Sequence, residues 1–450
     1  MPKYVAPGPP KEAVEAFKRR NSAKKPVPLH KRHEVVIGGV MALTFLAIFV
    51  YVYDAYQTRI NDPANRVYKL INSDEIVQGA QSASDGNFTT AASPVFNGWT
   101  LMDIKSWGGV GTNPSMVGMP GAAKYCELPE DDVESGAIPS NFDSREAFPG
   151  CISEEVYNSN QNGNNCTSSY AMAAASSMAY RWCVADEANN ANLRLSPQQI
   201  VNCDKGSRGC SGGGIDAVYA YIEKRGLYPE SCLPYTGVKD KCKKDSISCD
   251  ESQKRKAISH CILTKGGKQL QREIMNNGPV VVPMHLTEEF LVYKSGVFAP
   301  IPFKDMLRDF RGDYLQHAVV VVGWGRGDQG KYWIIENSWG REWGEDGFAR
   351  VHESALMTNY AVVGYPATPA AVAAEEAARA AAKERLEKAK KERAEREAQR
   401  AAAAAAARAA DEANAEPDEA LDDALADLED DDDLEEDLDK IDQLDEKDDL

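Results

Sequence analysis

The chain has 450 residues, a formal net charge of −18 and 43% hydrophobic residues, which suits one sizeable globular core with appendages. The charge sits at one end: residues 411–450 hold 22 acids and two lysines, a net of −20, so residues 1–410 carry about +2 (−18 minus −20). The acidity thus describes a tail and not the core, and no nucleic-acid partner is expected.

Residues 1–34 are basic, with nine Lys or Arg and two acids before position 34, and read as a cytosolic segment. Val35 to Tyr53 then runs nineteen residues without a charge. A helix needs about 20 such residues to cross the hydrocarbon layer. A signal peptide has a shorter apolar stretch and a small-residue cleavage site, which is missing here. A single transmembrane helix over 35–53 is therefore expected, with Tyr51 and Tyr53 at the interface. The basic cluster from Lys18 to Arg32 precedes the span, so the positive-inside rule puts everything after it across the membrane. Ten cysteines, all between Cys126 and Cys261, favour the same oxidising side.

Residues 54–137 are turn-rich and include Gly98-Trp99 and Trp107. Residues 138–365 form the cysteine-bearing globular part. Thr368-Pro369 then reads as a helix cap followed by proline in the first turn. Residues 368–416 are almost all Ala, Glu, Lys and Arg, strong helix formers with too few large apolar residues for a coiled-coil seam, so a single exposed helix is expected. Residues 417–450 are too charged to bury a core and read as a disordered tail.

Four stretches of the globular part carry the chemistry. Gln161 precedes Cys166-Thr167-Ser168-Ser169-Tyr170 and an Ala/Ser/Met-rich helical run. Cys203 leads to Cys210-Ser-Gly212-Gly213. His317 opens a valine run ending in Gly323-Trp324-Gly325. Asn337-Ser338-Trp339-Gly340 closes the set. In this order the motifs resemble the papain family of cysteine peptidases, whose pattern is Gln, Cys-Gly-Ser-Cys-Trp, Cys-x-Gly-Gly, His and Asn-Ser-Trp-Gly. The resemblance implies an α+β, papain-like fold of two subdomains, one helical and one β-rich, with a peptide-binding cleft between them. It also implies His317 as general base, Asn337 as its orienter and Gln161 as oxyanion donor. Trp339 would shield the His–Asn contact, and Gly212-Gly213 would pair with a substrate backbone.

The nucleophile position departs from the pattern. With Cys166 matched to the first, disulfide-forming cysteine, the nucleophile falls on Ser169, the usual Gly-Ser is Thr167-Ser168, and the usual Trp is Tyr170. A serine alcohol lacks the thiol's accessible ionisation, which the family's site uses as a thiolate–imidazolium pair. The gap from Gln161 to Cys166 is also two residues longer than in papain, which puts the aim of Gln161 in question. The tubulointerstitial nephritis antigen proteins, cathepsin B-like with serine at this position, are a family precedent.

Ile138 to Cys151 resembles the mature start of cathepsin B, and the segment before it a short propeptide. Leu195 to Cys203 and Cys232 to Gly237 look more like cathepsin C. The family resemblance implies the disulfides Cys166–Cys210, Cys203–Cys242, Cys232–Cys249 and Cys151–Cys183. For Cys126 and Cys261 both a mutual bond and free thiols remain open.

Asn87-Phe-Thr is a glycosylation sequon on the translocated side. The chain ends Lys447-Asp-Asp-Leu450, similar to the Lys-Asp-Glu-Leu retrieval signal, which points to the endoplasmic reticulum or another secretory-pathway membrane in type II orientation. The mitochondrial inner membrane, facing the intermembrane space, is the alternative. No cofactor or metal centre is expected beyond weak Ca²⁺ binding by the acidic tail. Three functions compete: an inactive papain-like pseudopeptidase holding a peptide or protein ligand in its former cleft; a serine-type endopeptidase using Ser169, His317 and Asn337; and a lumenal scaffold or calcium buffer acting through the tail.

Overall fold

A computed structural model describes residues 44–54, 68–106, 124–126, 138–164, 166–242, 247–299, 306–309 and 312–413. Of the apolar run, 44–54 is helical, and Phe45, Leu46, Ile48, Phe49, Val50, Tyr51, Val52 and Tyr53 are exposed. Residues 35–43 lie outside the described residues, and no helix among the described ones is long and apolar enough to cross a membrane. The basic segment, Trp107 and the acidic tail also lie outside them.

The strands are β1 (Phe88–Thr90), β2 (Lys124–Tyr125), β3 (Phe142–Asp143), β4 (Ala257–Leu263), β5 (Val280–His285), β6 (Tyr293–Phe298), β7 (Gln316–Gly327), β8 (Gly330–Glu336), β9 (Phe348–His352) and β10 (Ala361–Pro366). They join in the order β1-β6-β9-β8-β7-β5-β10-β4-β2, with β3 paired to β7. The alternation of a strand explains the run of four valines, Val319 to Val322, in β7. Val319 and Val321 enter one hydrophobic core, while Ala318, Val320 and Val322 enter the other. The second core belongs to a central helix, Ser169–Ala185, whose Ala, Ser and Met side chains are small or pliable enough to be buried on nearly every face. The first gathers Trp339, Trp343 and Phe290. The sheet thus separates a helical side from a β-rich side, as the two-subdomain expectation has it.

Arg181 lies on the central helix with no solvent exposure and is fully engaged. Its Nη2 meets Glu273 Oε1 at 2.5 Å, Nε donates to the Gly364 carbonyl at 2.7 Å, and Nη1 donates to Gly278 at 3.1 Å. At Gly323 the backbone of β3 crosses so closely that an added Cβ would stand 2.3 Å from the Phe142 carbonyl oxygen. Gly323→Ala is therefore expected to pry β3 off β7 and to cost about 1–3 kcal/mol, read as a lower urea midpoint. An unchanged midpoint would mean that β3 contributes nothing there.

Residues 68–106 are built into the same molecule. Helix Asp74–Ala83 and the strand β1, which pairs antiparallel with β6, bury Ile71, Ile76, Phe88, Phe96, Leu101 and Ile104 in the β-side core. Five disulfides close the chain: Cys166–Cys210, Cys203–Cys242, Cys232–Cys249, Cys151–Cys183 and Cys126–Cys261. The last resolves the open pair and ties β2, which runs parallel to β4, to the body. The C-terminal helix runs Pro369–Ala413, 45 residues or about 68 Å at 1.5 Å per residue. The Thr368 hydroxyl accepts from the Ala371 amide at 3.2 Å, as its capping role requires. The helix is exposed along nearly all its length and laced by pairs such as Arg379–Glu375 and Arg393–Glu397.

Candidate active site

Ser169 opens the central helix, so its hydroxyl stands at the end where unpaired amides concentrate positive charge. The bond Cys166–Cys210 and a hydrogen bond from Thr167 N to the Cys210 carbonyl at 3.1 Å hold this entry in place. Ser169 Oγ accepts from the Ala318 amide at 3.3 Å, which binds the helix start to β7 beside His317. Tyr170 is buried and donates to the Gly209 carbonyl at 2.9 Å.

His317 enters from the start of β7 and is buried. Its Nε2 lies 2.7 Å from Asn337 Oδ1, which also accepts from the Ser338 amide at 2.7 Å. An amide oxygen only accepts, so Nε2 carries the proton and Nδ1 is left with its lone pair. Burial pushes the His317 pKa down to about 4, against which the Asn337 bond acts only weakly, so the ring is neutral near pH 7. Trp339, fully buried, packs over it with ring centroids 4.8 Å apart. Phe96 of the 68–106 segment meets Trp339 edge-on with ring centroids 5.1 Å apart, and Asn160 Nδ2 donates to the Val95 carbonyl at 2.9 Å.

Ser169, His317 and Trp339 share one cavity with Ser159, Ser168, Leu286 and Gln316, of only about 10 Å³. That is room for one water and not for a peptide. Gln161 is not among its walls. It is exposed on the turn Gln161–Gly163. The buried wall residue is Ser159, whose amide donates to the Ser338 carbonyl at 2.8 Å and whose carbonyl accepts from Tyr235 OH at 3.1 Å. Gly212 and Gly213 are buried and also stand outside the cavity; a Cβ on Gly213 would lie 2.6 Å from the Tyr170 ring. Asn87 is half-buried at the start of β1, its carbonyl accepting from Val297 N at 3.0 Å.

A family model for papain family cysteine proteases matches residues 138–365. The chain belongs to the papain family. It is 33% identical to cathepsin B-like CP3 of Giardia intestinalis over 238 residues, 52% of this chain and 74% of that protein. With tubulointerstitial nephritis antigen of Bos taurus it shares 34% identity over 214 residues, 42% of this chain and 44% of that one. Among solved structures, procathepsin B S9 from Trypanosoma congolense superposes with a TM-score of 0.56 at 24% identity, covering 67% of this chain and all of that one. That likeness supports the fold.

Behind the papain-family pair Asn337–His317 lies a buried acid that no motif announces. Glu336 ends β8, and its Oε1 accepts from Ser176 Oγ at 2.9 Å. Burial raises its pKa to about 7, although Tyr180 and Ser176 hydrogen bonds act to lower it. In the unfolded chain the acid ionises near its ordinary value, so the folded form holds the proton longer. The stability that this proton represents is complete below about pH 4.5 and is lost as pH rises through 7, a swing of about 3 kcal/mol. His317 acts with the opposite sign, its contribution being present above about pH 6.5 and lost towards pH 4. Glu336→Gln is expected to remove the first swing alone. Urea unfolding at pH 5 and pH 8 should show the variant gaining on wild type as pH rises, and parallel profiles would refute the assignment.

Proposed function

We propose that this protein is a membrane-anchored, catalytically inactive papain-family pseudopeptidase that binds a peptide or protein segment in its former active-site cleft. The observation that carries the reading is Ser169 itself. An alcohol at the nucleophile position accepts a hydrogen bond from Ala318 and faces a histidine kept neutral by burial, so no ion pair activates it. Residues 68–106 press on the ring that covers His317, which supports a ligand entering only once they move.

The rival reading is a serine-type endopeptidase. The neutral His317 with its free Nδ1 lone pair favours it, because that is the form that takes a proton from a serine in other triads. Anchoring through 35–53, a secretory-pathway lumenal placement of the globular part, and Ca²⁺ association with the tail rest on composition and motif alone.

The test is peptide-library hydrolysis by the purified full chain, before and after limited trimming towards Ile138. Wild type is compared with His317→Ala. Silence in both supports the pseudopeptidase. Cleavage by wild type that His317→Ala abolishes makes the protein a serine-type peptidase.

A further inference from the structure

Away from the cleft, β7 and β8 join in a hairpin whose outer wall forms a groove of about 260 Å³ with the start of helix Gly267–Asn277. Its floor is aromatic: Trp324, Tyr332 and Trp333, with the two indoles in edge contact at 6.3 Å. Its rim is basic: Lys268, Arg326 and Lys331 are exposed, and no ion pair holds any of them among the described residues. Glu353 is the one acid on the lining. Trp333 is 4% exposed, yet its indole Nε1 has no acceptor. A buried N–H donor without a partner costs the desolvation of the group. Net positive charge beside an aromatic floor describes a receptor for carboxylate-bearing chain with apolar side chains between the acids.

We propose that the groove is the docking site of the chain's own acidic segment, residues 417–450. Those residues hold 19 acids and two lysines, interrupted by leucines at 421, 425, 428, 434 and 438, so both halves of the required chemistry are present. Reach does not forbid it. Thirty-four residues span up to about 110 Å when extended, more than the length of the helix Pro369–Ala413 that carries them. Carboxylates settle on Lys268, Arg326 and Lys331, and leucines lie along the aromatic floor. This reading is independent of what the cleft does.

Zero-length carbodiimide coupling of the intact protein tests it, with the joined peptides mapped by mass spectrometry. The expected products link Lys268 and Lys331 to acids of 417–450. They should fall at least about tenfold in 1 M salt, where the screening length shrinks to about 3 Å. Exposed lysines such as Lys205 and Lys224 serve as the reference for random coupling. Lys268→Glu combined with Lys331→Glu and Arg326→Glu removes the attraction, and tail products at other lysines should not then exceed that reference. Tail links spread over the lysines by exposure alone overturn the proposal. So do groove links to the acidic stretch 127–137 in place of the tail. Should the triple variant fold poorly, the salt series on wild type decides alone.

Discussion

If the protein is the pseudopeptidase proposed above, Ser169→Cys is expected to turn it, once trimmed towards Ile138, into a measurable peptidase, with a rise in kcat/KM of at least about 10³-fold, or about 4 kcal/mol of transition-state stabilisation. The parts that a thiol needs are in place. The side chain at 169 opens a helix, beside an imidazole whose Nε2 is held 2.7 Å from Asn337 and whose outer face is sealed by Trp339. A thiol ionises far more readily than an alcohol. The resulting anion draws the proton onto His317, which reverses the burial effect that keeps this ring neutral in the serine form. Before trimming, the variant should remain slow, because the cavity at residue 169 is only about 10 Å³. The exposed position of Gln161 sets a ceiling, since loss of one oxyanion donor costs about 10²–10³ in rate. A folded, trimmed Ser169→Cys protein with no activity would show that more than the nucleophile has been lost.

Arg181→Ala should be the most damaging single change to the fold, at about 3–5 kcal/mol, because it strands the Glu273 carboxylate inside the protein. Both side chains are almost wholly removed from water, at 0% and 4% exposure, and Arg181 also satisfies the carbonyls of Gly364 and Gly278. The loss comes from an uncompensated charge and not from the pair's own strength. The double change Arg181→Met with Glu273→Leu should therefore recover most of it, leaving the two orphaned carbonyls and the Asn277 and Tyr365 donors that Glu273 held as the residue of the cost. Urea unfolding with the disulfides intact measures all three proteins. A double variant as unstable as Arg181→Ala would show that packing, not charge, is at stake.

How the chain reads depends on the distance over which each feature is decided. The capping Thr368 and the long exposed helix after it follow from local propensity, and the structure shows both. Ser169, His317, Asn337 and Trp339 were legible through motif spacing, and the structure brings His317 and Asn337 into contact, with Ser169 and Trp339 in one cavity with His317. Four of the disulfides followed from the resemblance. Gln161 was legible by motif type, but its exposure on the turn Gln161–Gly163, outside the walls of the cavity, was not, because that depends on how the loop closes on Ser338 and Tyr235 through Ser159. By itself the sequence determined the family, through the order of four short motifs, and the helical run after Ser169 and the valine run after His317, because motifs and runs of like residues are local features of the chain. Only the tertiary structure decided that Glu336 is a buried acid, held by a serine 160 residues away, that Cys126 bonds Cys261, and that β1 completes the sheet at β6. Burial and pairing across such separations depend on which surfaces meet, and a residue's type does not carry that information.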